Sequence, residues 1–155
     1  QKAKELASHF MANKWCVKIL ENAQYEIPYI KMIEGLPVRG KADIIKNKEI
    51  IDLKTTSDIN NFKYSAYRYG YDLQAYLYLQ LFPNVNKFSF IVIDKNTYEL
   101  GRFECSPAFL ESGKDKLDRA IALYKHLFLN EMDLNQNIIK EIIIAFTKIK
   151  TGFLE

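Results

Sequence analysis

Two aspartates and a lysine on one predicted β-hairpin are the residues of this chain whose types and spacing best suit chemistry. The segment 40–56 reads GKADIIKNKEIIDLKTT, with an isoleucine pair on each side of a turn-like KNKE stretch. A two-residue loop at 47–48 would place Asp43 directly opposite Asp52, with Cβ atoms about 4.5–5.5 Å apart, where like charges repel. Lys54 lies two residues beyond Asp52 and so shares its face of the strand. This arrangement predicts a divalent metal site with an ammonium group beside it.

Strand alternation predicts how the hairpin faces the core. One face would carry Lys41, Asp43, Ile45, Ile50, Asp52 and Lys54, and the other Ala42, Ile44, Ile51 and Leu53. Apolar residues on both faces are typical of strands that are covered by helices on each side. In such a partly desolvated place, either a cation lies between the two carboxylates or one of them is protonated. Carboxylate ligands favour Mg²⁺ or Mn²⁺.

Composition and charge limit the classes of protein to which this chain can belong. The 155 residues, 48% of them hydrophobic, predict a single domain over 1–155 with a helical extension at about 131–155. The net charge of +3 is compatible with a nucleic-acid partner. Two cysteines, Cys16 and Cys105, cannot hold an iron–sulfur cluster or a four-thiolate zinc ion, and they favour free thiols, with one disulfide left open. Without a membrane-spanning run or a visible signal peptide, the expected location is the cytoplasm.

Hydrophobic periodicity predicts the element order α-β-β-β-α-β-β-α-α. The expected boundaries are a helix near 2–23, strands over 24–33, 37–46 and 49–56, a helix over 60–82 interrupted at Gly70, strands over 87–94 and 97–105, and helices over 107–129 and 135–150. The last run is rich in isoleucine and more apolar than one helix needs. It therefore either covers the sheet of its own chain or forms a subunit contact.

The acidic hairpin resembles the catalytic motif of the PD-(D/E)XK nuclease superfamily, with Asp43 followed by Asp52-Leu53-Lys54. Its context, VRGKADII … IIDLKTTSD, is similar to the phage-type exonucleases of the RecE group. The second acid of the motif is aspartate at position 52 and not the longer glutamate, which is a departure from the family pattern. The likeness spans about residues 5–105. It implies a mixed α/β restriction-endonuclease-like core, with a central mixed β-sheet of about five strands flanked by helices on both faces.

This resemblance implies roles for the hairpin residues. Asp43 and Asp52 would bind Mg²⁺, or alternatively Mn²⁺, together with the backbone carbonyl of Leu53. Lys54 would help to activate the attacking water and stabilise charge on the phosphate. Upstream, Glu26 would complete the metal shell or hold a second ion, unless it simply faces solvent.

Two further candidates lie on predicted helices. The segment YGYDLQAYLYL resembles the Q-x-x-x-Y motif of RecB-like nucleases, here Gln74 and Tyr78, which implies that they position the DNA strand. Their four-residue spacing puts both on one helical face. The alternative is a tyrosine-rich helix whose hydroxyls reach water. His9 lies where some nucleases of this group place a histidine near the metal, and a surface or core-edge histidine is the alternative.

Basic, hydroxyl and aromatic residues around these motifs predict contacts with DNA. The candidates are Arg39, Lys41, Thr55, Thr56, Ser57, Lys63, Tyr67 and Arg68. An ordinary solvated surface is the alternative for each of them.

The function implied by the resemblance is a Mg²⁺-dependent DNA exonuclease of a phage or prophage recombination system. It would release 5′-phosphorylated nucleotides and work with a single-strand annealing protein. Related exonucleases form rings, which implies assembly into a homo-oligomer. A structure-specific or restriction-type endonuclease on the same core is the competing enzyme, and linear and circular DNA would separate the two. A catalytically silent DNA-binding module is the competing non-enzyme, against which the intact Asp43, Asp52 and Lys54 argue.

Overall fold

A computed structural model describes residues 1–129, so the predicted helix over 135–150 lies outside the described residues. The elements of the described part are α1 (Lys2–Ala12), α2 (Lys14–Leu20), β1 (Gln24–Ile33), β2 (Leu36–Lys46), β3 (Glu49–Thr56), α3 (Phe62–Arg68), α4 (Tyr71–Leu81), β4 (Lys87–Asp94), β5 (Leu100–Glu104) and α5 (Pro107–Leu129). The five predicted strands are all present. Within the same part of the chain, no helix is both long and apolar enough to span a bilayer.

The five strands form one mixed sheet in the order β1-β2-β3-β4-β5. Strands β3 and β4 are parallel, whereas every other neighbouring pair is antiparallel. Parallel neighbours need a long crossover connection, which α3 and α4 provide. The expected mixed five-stranded sheet is therefore confirmed, and the crossover places α4 against β1, β2 and β4.

The predicted hairpin turn is present between β2 and β3. Asn47 and Lys48 have φ values of 50° and 64°, as a two-residue type I′ turn requires. Lys46 therefore pairs with Glu49, in the predicted register. This turn fixes the register with which the two acidic residues approach each other.

Helices cover both faces of the sheet. On one face, residues of α3, α4 and α5 pack on strand residues, and the cluster includes Phe62, Ala75, Leu81, Phe109, Ala42, Ile50, Phe88, Phe90 and Val92. On the other face, α1 and α2 supply Phe10 and Ile19, which pack with Ile44, Ile51 and Ile91. The expectation of helices on both sides is confirmed.

The predicted side-chain orientation of one strand residue is wrong. Ala42 packs in the same cluster as Ile50, and not with Ile44 as strict alternation required. The side chains change face at Asp43. Neither Asp43 nor Glu26 is paired in the β1–β2 ladder. Glu26 has a φ of 52°, a left-handed conformation that interrupts the alternation of side chains.

The predicted first helix is two helices. Asn13 ends α1, and its side-chain oxygen accepts the backbone N–H groups of Trp15 and Cys16, so it caps the start of α2. The predicted interruption at Gly70 is confirmed, because Gly70 has a φ of 72° and separates α3 from α4.

Candidate active site

The two hairpin strands part at Asp43. Their ladder ends at the pair Ile44–Ile51, and beyond it the Asp43 Oδ2 atom accepts the backbone N–H of Leu53 at 3.0 Å. A side-chain carboxylate thus takes the place of a backbone acceptor and is held next to β3. The negative charge of Asp43 contributes to raising the pKa of Asp52, so the two carboxylates interact electrostatically.

Asp52 is a buried carboxylate with three charged or polar neighbours. It is 4% exposed, its Oδ1 accepts the Gln74 Nε2–H at 2.7 Å, and its Oδ2 lies 2.7 Å from the Lys54 ammonium. Burial raises the pKa of Asp52 to about 6, and the charge of Asp43 adds to this rise. Lys54 and Gln74 oppose it by stabilising the ionised form.

Lys54 is enclosed between an acid and an aromatic ring. It is 5% exposed, and its ammonium lies 4.5 Å from the centre of the Tyr71 ring. Such a cation–π contact partly replaces the water that the ammonium loses on burial. Burial and, less strongly, the charge of Asp52 raise the pKa of Tyr71 to about 12, so its hydroxyl is neutral at physiological pH.

Gln74 and Tyr78 both project from α4 toward the acidic hairpin. The Tyr78 hydroxyl donates to the Lys41 carbonyl at 3.2 Å, which ties α4 to β2 just before Asp43. Burial raises the pKa of Tyr78, and the charges of Asp52 and Asp43 add to the rise. The close approach of α4 requires Gly40, whose added Cβ would lie 2.7 Å from the Leu81 side chain.

The donor atoms of this site fit a hard divalent cation. Gln74 Oε1 is a buried acceptor that receives no hydrogen bond within residues 1–129, and Asp52 Oδ2 has the Lys54 ammonium 2.7 Å away. No three His, Cys, Asp or Glu side chains meet as a metal cluster in that range. Two neighbouring carboxylates and a buried amide oxygen suit Mg²⁺, which keeps several water ligands and needs few from protein.

Two further predicted ligands lie elsewhere. Glu26 is 60% exposed in its side chain and forms an ion pair with Lys41. His9 is exposed on α1, where its ring stacks on Tyr98 with centroids 4.0 Å apart. The structure therefore brings neither side chain together with the carboxylate pair.

Most of the predicted DNA-contacting residues are at the surface. Those exposed are Arg39, Lys41, Thr55, Ser57, Lys63, Tyr67 and Arg68. Thr56 is half-buried instead, and its hydroxyl accepts the backbone N–H of Asp58 at 3.2 Å within a local turn. Arg68 lies over the Tyr69 ring at 5.1 Å.

Sequence reasoning missed the residues that support α4. Asp72 is fully buried, and its carboxylate lies 2.7 Å from both the Lys116 ammonium and the Ser112 hydroxyl of α5. An aspartate inside an otherwise apolar helical segment was the one signal that could have identified this contact, because a buried carboxylate needs a partner.

A mixed sheet that brings Asp43, Asp52 and Lys54 together, with Gln74 from a crossover helix, is the arrangement of the PD-(D/E)XK class. The model of the family described as a PDDEXK-like domain of unknown function (DUF3799) matches residues 1–136. The chain belongs to that family, and the resemblance to the superfamily is confirmed. No curated protein matches the sequence.

A solved structure shares the fold. A crystal structure described as that of a "Putative exonuclease" from Eubacterium rectale superposes with a TM-score of 0.67 at 14% identity. The match covers 99% of this chain but 55% of that one, so this chain spans about half the length of that relative. A crystal structure of SSO0001 matches with a TM-score of 0.47 at 19% identity, over 70% of this chain and 55% of that one.

Proposed function

We propose that this protein is a divalent-metal-dependent deoxyribonuclease that degrades DNA from its ends. The observation that carries the proposal is the buried contact of Lys54 with Asp52 beside a second carboxylate, Asp43. A desolvated acid with a raised pKa and specific charged neighbours is costly to stability and is typical of functional sites. The PDDEXK-like family to which the chain belongs supports the same conclusion.

The metal ligands would be Asp43, Asp52 and the Leu53 carbonyl, with Glu26 as a candidate for a second ion if it leaves Lys41. Bound Mg²⁺ would supply Lewis-acid polarisation of the phosphate and would lower the pKa of a water molecule. His9 would join the site only if it left Tyr98.

The remaining residues position groups and supply charge. Gln74 holds Asp52 Oδ1, so that Oδ2 faces the Lys54 ammonium at 2.7 Å. The Lys54 ammonium would stabilise negative charge that develops on the attacked phosphate, in a site from which water is largely excluded. Tyr78 keeps α4 on β2, so the distance between Gln74 and the hairpin is fixed.

The proposal also specifies the mode of cleavage, which starts from DNA ends and releases 5′-phosphorylated nucleotides. It rests on the RecE-like sequence context and agrees with the description given to the relative from Eubacterium rectale. The same context supports a role in phage or prophage recombination inside the cell. It also supports a single-strand annealing protein as partner and assembly into a homo-oligomer.

A digestion assay tests both parts of the proposal. Linear duplex labelled at one end and a closed circle of the same sequence are incubated with the protein and Mg²⁺, with EDTA as the metal-free control. Lys54→Ala is compared with Lys87→Ala, which removes an exposed lysine at the start of β4. We expect short 5′-phosphorylated products from linear DNA only, and only with Lys54. Cutting of the circle would favour the endonuclease, and absence of any metal-dependent cleavage would overturn the proposal.

A further inference from the structure

A cavity of about 320 Å³ opens between β5, α3 and the start of α5. Its walls are mainly aromatic, with Phe62, Tyr67, Phe90, Phe103 and Phe109 among the lining residues. The space exists because the small side chains of Ala66 and Cys105 stand among these large rings. Its volume is at the lower end of the range of ligand pockets, about 300–1,000 Å³, and suits a group of the size of one nucleoside.

The cavity lies on the same face of the sheet as the candidate active site. Asp52 pairs with Phe90 across β3 and β4, and Phe90 pairs with Phe103 across β4 and β5. The cavity wall therefore begins one strand spacing of about 4.8 Å from Asp52, at Phe90, and extends a second spacing to Phe103. Phe90 also contacts Tyr71 at a centroid distance of 5.6 Å, and Tyr71 lies against Lys54. One aromatic layer therefore separates the cavity from the catalytic lysine.

The rim of the cavity carries charged residues of both signs. Lys63 is exposed at the rim and can contact a phosphate. Glu104 is also at the rim, but it lies 3.5 Å from Arg102, which additionally pairs with Glu49 at 2.7 Å. Arg102 is thus shared by two acids, and Lys63 is the rim cation that forms no ion pair within residues 1–129 and can meet a phosphate beside an aromatic cavity.

We propose that this cavity binds one nucleobase of the DNA strand undergoing cleavage. The base would stack on the Tyr67 ring, and Lys63 would contact an adjoining phosphate. Stacking on aromatic side chains tolerates every base because each has a π-face, so the cavity would hold the strand without reading its sequence. This inference rests on the proposed function, because it takes DNA as the substrate.

Binding without cleavage provides the first test. A fluorescein-labelled single-stranded oligothymidylate is titrated in EDTA, and its anisotropy gives the affinity. Tyr67→Ala should weaken binding about tenfold, as expected for the loss of one stacked base. The matched control is Tyr64→Ala, which removes a tyrosine of the same helix that is 74% exposed and does not line the cavity. Lys63→Glu should weaken binding and lessen its dependence on salt.

An abasic scan shows whether the lost contact is to a base. Replacing one thymidine at a time by an abasic nucleotide should identify a position where binding also falls about tenfold. At that position the abasic change should not lower the affinity of the Tyr67→Ala protein any further. Equal affinities for Tyr67→Ala and Tyr64→Ala, or no such position, would overturn the inference.

Cys105 offers an independent readout inside the cavity. It is one of the two free cysteines and is partly exposed, whereas Cys16 is fully buried. Oligothymidylate at about ten times its Kd should slow modification of Cys105 by a small methanethiosulfonate about tenfold, because only the unoccupied fraction of the protein then reacts. Inorganic phosphate should not do so. DNA cleavage with unprotected Cys105 would refute the cavity while the nuclease proposal stands, and protection in a protein that never cleaves would refute the nuclease alone.

Discussion

The Lys54 ammonium lies 2.7 Å from Asp52 Oδ2, and both side chains are at most 5% exposed. Removing one partner of a buried ion pair usually costs about 3–5 kcal/mol, because the other charge is left uncompensated. Asp52 can limit this cost by taking up a proton, since its pKa is already raised to about 6. Changes at the two residues should therefore affect stability and activity differently.

Lys54→Met tests the role of the ammonium. Its unbranched side chain can still pack on Tyr71, so we expect the fold to persist with an unchanged circular dichroism spectrum. Cleavage should fall at least about 100-fold, the usual loss when one group that stabilises a transition state is removed. Lys87→Met, at an exposed position, is the control. A folded Lys54→Met protein that cleaves at the normal rate would exclude the proposed role.

The hairpin could be predicted from the sequence because its determinants are local. The isoleucine pairs mark two strands, and the Asn47-Lys48 turn sets their register. Continuing that register predicts Asp43 opposite Asp52, but the ladder ends one pair earlier, at Ile44 and Ile51. The interruption at Gly70 was likewise readable, since glycine readily adopts the φ of 72° that is found there.

The remaining features depend on contacts that no short pattern encodes. The wrong facing of Ala42 lies beside the unpaired positions Asp43 and Glu26, and Glu26 has a left-handed conformation that its residue type rarely adopts. The support of Asp72 by Lys116 joins residues 44 positions apart. Strand alternation and helical periodicity describe single elements, so they cannot show how α5 holds α4.

Asp52 should make the stability of the metal-free protein depend on pH. Its pKa is about 6 when folded against an ordinary 3.8, so the folded state binds more protons between these values. The free energy of unfolding should therefore fall as pH rises from about 4 to about 6, by up to about 3 kcal/mol, with no further change from this group above pH 6. Urea titrations in EDTA of wild type and Asp52→Asn would measure it. A difference between the two proteins that is independent of pH in this window contradicts the assignment.

Gln74→Leu should weaken metal binding, because it removes the hydrogen-bond donor to Asp52 Oδ1. The buried oxygen would lose the amide donor at 2.7 Å, which usually costs about 1–3 kcal/mol. The pKa of Asp52 should rise further, because the Gln74 contact lowers it. We expect weaker Mg²⁺ binding by calorimetry, with the largest deficit below pH 6. Gln80→Leu, at an exposed position of the same helix, should bind Mg²⁺ normally, and equal behaviour of the two variants would refute the role of Gln74.

Gly113→Ala should destabilise the protein although alanine is the better helix former. A Cβ at this position would lie 2.0 Å from the Asp72 carbonyl oxygen, so α5 would have to move away from α4. Overpacking of this kind usually costs about 1–3 kcal/mol, which exceeds the gain of about 1 kcal/mol in helix propensity. Thermal unfolding gives the sign directly. A raised melting temperature would show that the helices are not in contact there.

Lys116→Met should affect both stability and cleavage, because Lys116 compensates the fully buried Asp72 on the helix that carries Gln74. The matched control is Lys114→Met on the same helix, whose 3.0 Å pair with Asp118 is largely exposed. Surface pairs contribute about 0–1 kcal/mol, whereas breaking the Asp72 pair should cost about 3–5 kcal/mol. Lys116→Met,Asp72→Asn should recover part of this loss, because no unpaired charge then remains buried. The proposed role fails if the double variant is no more stable than Lys116→Met and both variants bind Mg²⁺ normally. In that case α4 is held by packing alone, and the ion pair does not position the site.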